Sequence, residues 1–183
     1  MTFIAQPVTS TPDNFGLEYI DSLYRYAMVL TRNRTDAEDL VQETYVRAIE
    51  AYGRLRENSN VKGWLFTILR NLWLNQLRRV RSGPQFLEGD GEIHVVEGIA
   101  GNLPDAHSVL EGQEDARRVR AAIGQLPSEF QEVLILREFE DLSYQEIATI
   151  TNCPAGTVMS RLARARGKLR VLLAEDNDKA IAS

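Results

Sequence analysis

Ser143-Tyr144-Gln145-Glu146-Ile147-Ala148-Thr149-Ile150-Thr151-Asn152-Cys153-Pro154-Ala155-Gly156-Thr157-Val158-Met159-Ser160-Arg161-Leu162-Ala163-Arg164 holds two helix signals and the turn between them. Ser143 with Glu146 three residues on is a capping-box pattern, and it opens a short helix. Asn152-Cys153-Pro154 ends it, because Asn tolerates a left-handed turn and Pro suits the first turn of a new helix. Beyond the turn, at about 100° per residue, Val158, Leu162, Ala165, Leu169 and Leu172 share one face, which is the core face. A short helix, a tight turn and a longer basic helix predict a helix-turn-helix. Pointing away from that core are Ser160, Ala163, Arg164 and Gly167, with Thr157 and Met159 at the shoulders.

That outward face suits a DNA groove. Ala163 and Gly167 are small enough to let the backbone lie close to the groove floor. Ser160 and Arg164 then reach base edges, Arg being suited to paired hydrogen bonds with guanine. Arg161 and Arg166 flank the face at phosphate height and position without specifying; Lys168 belongs to the same duplex-facing set. The ordinary alternative is a basic surface helix whose charges serve solubility. Five cations and no acid lie between Pro154 and Arg170, which favours DNA. The signal identifies duplex binding and no more.

Upstream, Pro127-Ser128 with Gln131 is a further start of capping-box type, and helical signals begin at Glu114. Between Ser82 and Gly112 the pattern fails. Ser82-Gly83-Pro84, Gly89, Gly91, Gly98, Gly101 and Pro104 interrupt any helix, and Glu88 to Asp115 holds eight acids and no Lys or Arg. This reads as a flexible acidic linker, with a short strand at Ile93 to Val96 lacking any evident partner. The expected organisation is all-α: a helical domain over 1–82, the linker over 83–112, the helix-turn-helix domain over 113–175, and a frayed tail over 176–183.

In the first domain, Leu17 to Leu30 reads as a helix. Thr35 and Glu38 give a capping-box pattern, after which Leu40, Val41, Thr44, Ala48 and Ile49 share a side and Gly53 closes the helix. A helix from about Val61 to Arg79 follows, with Leu65, Ile68, Leu69 and Leu72 as its core face. Trp64, Thr67, Asn71, Asn75 and Arg78 fall on another face of that helix, within roughly a quarter-turn. An aromatic plane beside amides and a cation is what single-stranded DNA requires: a ring for stacking, amides for exposed base edges, charge for the backbone. Trp64 taken alone is equally a core residue at a helix start. Seven basic residues lie between Arg54 and Arg81 against Glu57 alone, so two basic segments flank an acidic connector although the net charge is −5. A duplex-reading helix joined to a single-strand-reading face predicts a protein that acts where DNA strands are opened.

Composition closes off other classes. One cysteine, Cys153, permits no internal disulfide, and with two scattered histidines it argues against a structural metal site. No cofactor motif, phosphate loop or nucleophile–base pairing is visible, so no catalytic residue is assigned and an enzyme is not expected. No apolar run is long enough to span a bilayer, and Met1 to Pro12 lacks the features of a secretory signal, which predicts the cytoplasm. Cys153 reads as a small turn residue; oxidation sensing is the alternative.

Several blocks, in order, resemble the extracytoplasmic-function (ECF) sigma factors of the sigma-70 family. Asp36-Ala37-Glu38-Asp39-Leu40-Val41-Gln42-Glu43-Thr44 is similar to their region-two helix, and Val61-Lys62-Gly63-Trp64-Leu65-Phe66-Thr67-Ile68-Leu69-Arg70-Asn71 to their promoter-melting helix. Leu126-Pro127-Ser128-Glu129-Phe130 resembles the start of region four, and Cys153 to Leu162 its recognition helix. The sequence is most similar to the stress-responsive subgroup held by zinc-binding anti-sigma factors. The resemblance implies that Asp36, Asp39, Leu40, Gln42, Glu43 and Val46 dock on the clamp coiled coil in the largest subunit of core RNA polymerase. It implies that Arg56, Asn58, Asn60 and Lys62 join Trp64, Thr67, Asn71, Asn75 and Arg78 at the −10 element, where a flipped base costs a few kcal/mol of stacking. Thr157, Met159, Ser160, Arg161, Ala163, Arg164, Arg166 and Lys168 would serve the −35 element. Met159 and Ala163 stand where some members carry larger or charged residues, which leaves the base preference there open. No third globular domain separates the halves, and the acidic linker would thread the polymerase cleft. The partners implied are core polymerase, promoter DNA and an anti-sigma factor. Two other readings remain: a stand-alone helix-turn-helix regulator, which leaves Trp64, Asn71 and Asn75 without a role, and a sigma mimic that never reads DNA.

Overall fold

The computed structural model describes residues 15–55, 59–82 and 110–181. In order they form a 3₁₀ turn (Leu17–Tyr19), α1 (Ile20–Thr31), α2 (Arg34–Ala51), a 3₁₀ turn (Tyr52–Arg54), α3 (Val61–Ser82), α4 (Leu110–Gly124), α5 (Ser128–Leu134), a π-helical turn (Ile135–Phe139), α6 (Tyr144–Thr151) and α7 (Ala155–Ile181). No strand occurs among the described residues. The expected all-α class is what forms; the strand at Ile93 to Val96 lies outside the described residues. The chain is already helical at 110–112 and remains so from 176 to 181, stretches whose composition reads as connector and tail.

The N-terminal helices pack around Leu23, Tyr26 and Ala27 of α1, Leu40, Val41 and Ala48 of α2, and Leu65, Phe66 and Leu69 of α3. Removing this apolar surface from water, at about 25 cal/mol per Å², is what holds three helices together without a disulfide. Gly16 starts the domain at φ 68°, a left-handed conformation, and a Cβ there would lie 2.9 Å from Leu65 Cδ1. Its carbonyl accepts the Tyr45 hydroxyl.

Three sequence readings are corrected here. Asn33, not Thr35, caps α2: its side chain accepts from the Asp36 amide at 3.2 Å, while Glu38 pairs with Arg34 at 2.9 Å. Ile49 is 54% exposed, because Ala48 beside it takes the inward position seven residues after Val41. α5 has no side-chain cap; Gln131 instead turns its amide nitrogen back to the carbonyls of Gly124 and Leu126, 2.8 Å from each. The Ser143–Glu146 capping box and the left-handed Asn152 (φ 50°) form as expected.

In the C-terminal helices Val158, Leu162 and Ala165 of α7 meet Phe130, Val133, Leu136, Ile147 and Ile150, with Leu169 and Leu172 partly buried alongside. The π-helical turn widens the end of α5, so the Glu140 amide reaches the Ile135 carbonyl at 3.2 Å. Glu140 is buried as a result, and it faces the other half of the molecule. Helices α1 and α3 pack there against α5 and α6, with Glu132 and Glu140 between them.

Candidate nucleic-acid interface

Pro154 precedes α7 directly, and its carbonyl accepts the amides of Thr157 at 2.8 Å and Val158 at 3.2 Å. The first turns of α7 are thereby fixed to the α6–α7 turn. Met159, Ser160, Ala163, Arg164, Gly167 and Lys168 are exposed on one side, and Thr157 is half-buried at its edge. Among the described residues Arg164 has no ion-pair partner, so its guanidinium is free to reach a base edge. Arg166 is different: it holds Glu138 Oε1 through both Nε and Nη2, at 3.1 and 2.5 Å. Arg161 is half-buried, with Nη1 4.0 Å from Cys153 Sγ. The cysteine itself is partly buried against Thr151 Oγ1 at 3.1 Å, as suits a packed turn residue.

On α3, Asn71, Asn75 and Arg78 form an exposed stripe, with Arg78 donating to Asn75 Oδ1 at 3.0 Å. Thr67 sits beside them but turns its hydroxyl back to the Gly63 carbonyl at 2.8 Å, the usual behaviour of a threonine inside a helix. Trp64 is half-buried, edge-on to Phe15 with ring centroids 6.2 Å apart. It also borders a shallow hollow with Arg47, Glu50, Ala51, Arg54 and Ile68. Arg47 was not singled out by the sequence, since only the return of α2 beside α3 brings it to Trp64; Arg54 begins the loop, Arg54 to Lys62, that the family resemblance implies would cradle a flipped base.

Asn60 caps α3: its Oδ1 accepts from the Gly63 amide at 3.0 Å and its carbonyl from Trp64 at 3.0 Å. Its Nδ2 donates to Glu146 of the C-terminal half. Lys62 is likewise engaged, with Nζ 3.0 Å from Glu140 Oε2 and 2.7 Å from the Glu140 carbonyl. Arg56 and Asn58 lie outside the described residues. The stripe of the expected −10 set is thus open, while at its end Asn60, itself exposed, and the half-buried Lys62 are engaged by Glu146 and Glu140.

On α2, Asp36, Asp39, Gln42 and Val46 are exposed and Glu43 is half-exposed, pairing with Arg47 at 2.8 Å. Leu40 is 0% exposed. Its expected part in a docking surface is withdrawn, because it faces α1 and α3 from the inward side of the helix. Val46 and Ile49 leave an apolar strip beside the carboxylates.

Residues 17–83 match the Sigma-70 region 2 family and residues 116–169 the Sigma-70 region 4 family. The chain is 36% identical over 170 residues to the ECF RNA polymerase sigma factor EcfG of Rhodopseudomonas palustris, covering 93% of this chain and 89% of that one. It is 38% identical over 133 residues to the ECF sigma factor SigC of Mycobacterium tuberculosis, covering 73% and 68%. Among solved structures, the sigma factor RpoE of Bartonella quintana, crystallised with the anti-sigma factor NepR, superposes with a TM-score of 0.64 at 32% identity, over 86% of this chain and 93% of that one. Both sigma-70 regions matched in order, with relatives above 30% identity along most of the length, leave one assignment: the chain belongs to the ECF RNA polymerase sigma factors of the sigma-70 family.

Proposed function

We propose that this chain directs core RNA polymerase to promoters by dividing recognition between its two halves. Thr157, Met159, Ser160, Ala163 and Arg164 of α7 read the −35 duplex, with Arg161, Arg166 and Lys168 at its phosphates. The Asn71–Asn75–Arg78 stripe, with Trp64, Thr67 and the 56–62 segment, takes the opened −10 strand. The hollow beside Trp64, rimmed by Arg47 and Arg54, suits a base turned out of its stack. Asp36, Asp39, Gln42, Glu43 and Val46 dock on the clamp coiled coil, where a carboxylate face meets a basic partner. Domain roles follow the expected division at 1–82, 83–112 and 113–175. The chain supplies no catalytic group; bond formation belongs to the polymerase. It works in the cytoplasm with promoter DNA, and an anti-sigma factor is its inhibitor, as NepR is bound to the Bartonella protein.

The observation that carries this reading is the pairing, in one chain, of an unpartnered Arg164 on an acid-free recognition face with a separate exposed amide–cation stripe. Reconstitution with bacterial core polymerase tests it. Initiation at a discrete start site is expected only when the chain is added. Tight promoter binding without polymerase, and no initiation with it, would favour a stand-alone regulator.

A further inference from the structure

The first turns of α7 carry different chemistry on their two edges. At about 100° per residue, Gly156, Ser160 and Gly167 run along the middle of the exposed face. Met159 and Ala163 form one edge, and Thr157, Arg164 and Lys168 form the other. Met159 and Arg164 stand about 140° apart around the helix axis. A Cβ at Gly156 or Gly167 would meet nothing within 4 Å, so packing inside the protein requires neither glycine. Ser160 donates its hydroxyl hydrogen to the Thr157 carbonyl at 2.9 Å, which leaves the middle of the face without a side-chain donor. Discrimination falls to the edges.

Met159 is 51% exposed, and among the described residues it is the one large apolar side chain exposed in these turns. Val158 and Leu162, on the opposite side of the helix, already fill the core. Ala163, exposed one turn on from Met159, adds a small apolar surface. Arg166, next along the same edge, is held by Glu138. This edge is therefore apolar in the N-terminal turns, the part of a recognition helix that meets base edges. The other edge is not: Arg164 there is exposed and has no ion-pair partner among the described residues.

We infer that Met159, with Ala163 beside it, selects thymine in the −35 element through its C5-methyl group, on the strand opposite the guanine that Arg164 reads. The inference rests on the −35 reading above. In the major groove thymine presents a methyl group, whereas guanine presents N7 and O6 to an arginine. A methyl neither donates nor accepts a hydrogen bond, so an apolar contact recognises it, and that contact removes both surfaces from water. Methionine suits the task, because an unbranched side chain with three rotatable bonds and a polarizable sulfur adapts to the methyl's position. The two edges of a helix lying in the groove face bases of opposite strands. An apolar edge and a cationic edge thus read a methyl on one strand and a guanine on the other. The guanine-bearing strand then carries adenine opposite each methyl that is read.

The test uses the full chain with bacterial core polymerase. Duplexes that bind this holoenzyme are enriched from a promoter pool randomised over the −35 element. In an enriched duplex each −35 thymine is replaced in turn by deoxyuridine, which removes only the methyl, and each guanine by 7-deazaguanine, which removes N7. Burial of one methyl is worth about fourfold in affinity, so the wild-type holoenzyme should lose about that much at one thymine or more. Met159→Ala and Met159→Gln should bind the thymine and uracil duplexes equally, and Met159→Leu should keep the difference. The 7-deazaguanine effect should lie on the other strand and vanish in Arg164→Ala. Three results would each overturn the inference alone, since enrichment still upholds the sigma-factor reading: uracil without effect at every position, a methyl effect that survives in Met159→Ala, or both sensitive bases on one strand. A pool that yields no enriched duplex would overturn that reading and the inference with it.

Discussion

Among the described residues Arg164 is exposed on α7 without an ion-pair partner, whereas Arg166 is already held by Glu138. The two should respond differently to removal. Arg164→Ala loses a base-edge contact of about 1–3 kcal/mol, so promoter-directed initiation should fall roughly ten- to a hundredfold while polymerase binding is kept. Equal loss of both would count against its role at the −35 element. Arg166→Ala should cost less and lose little base preference, since a phosphate contact carries no sequence information. Run-off transcription on promoters with single −35 changes separates the two. Gly16 gives a stability prediction at the same scale. Gly16→Ala places a Cβ 2.9 Å from Leu65 Cδ1 at φ 68°, and the left-handed conformation alone costs an L-residue roughly 1–2 kcal/mol. Urea titration should show at least that loss, without change in the C-terminal helices.

At the level of elements, α6 depends on its capping box. Ser143 Oγ accepts from the Glu146 amide at 3.3 Å, and Glu146 Oε2 accepts from the Ser143 amide at 2.6 Å. Hydrogen bonds donated to the carboxylate by Ser143, from its hydroxyl first and its backbone amide second, hold the Glu146 carboxyl below its ordinary range, against a smaller opposing effect of burial. The cap's contribution is therefore complete above the ordinary glutamate value of 4.5 and is lost as pH falls through the depressed one. Ser143→Ala should cost about 1 kcal/mol of stability at neutral pH, read by chemical denaturation, and flatten the acid limb. This cap was legible because its residues are three apart and local. So was the outward face of α7, since a 3.6-residue period needs no tertiary information. The cap of α2 was misread because Thr35 and Glu38 satisfy the same spacing that Asn33 uses with better backbone geometry. The π-helical turn after α5 was not legible at all. It carries Glu140 to Arg25, 115 positions earlier, and to Lys62, 78 positions earlier, and in sequence Glu132 and Glu140 look like solvent-facing charges.

For the whole molecule, the reach of the connector and the ion pairs between the two halves act against each other. The twenty-seven residues from 83 to 109 reach about 90 Å when fully extended, enough for two promoter elements some 85 Å apart. The contacts between Arg25, Lys62, Arg70 and the two carboxylates must then give way. Their titration sets the limits of the closed form. Burial would raise the Glu140 carboxyl, but hydrogen bonds from Ser22, Lys62 and Arg25 and the Lys62 charge hold it below 4.5. A depressed acid favours the closed state above 4.5 and releases it as pH falls through the lowered value. At the other end, burial first, and then the charge and hydrogen bond of Glu132, push the Tyr26 hydroxyl well above 10.0, while Arg70 pulls the other way. A raised value means that this contribution is intact below 10.0 and disappears as pH climbs through the higher one. The radius of gyration should therefore stay at its minimum across the neutral range and rise on both flanks. Tyr26→Phe should remove the alkaline rise and leave the acid one, since the hydroxyl that would ionise beside Glu132 is gone. An acid limb that moved with it would overturn the assignment of that limb to Glu140.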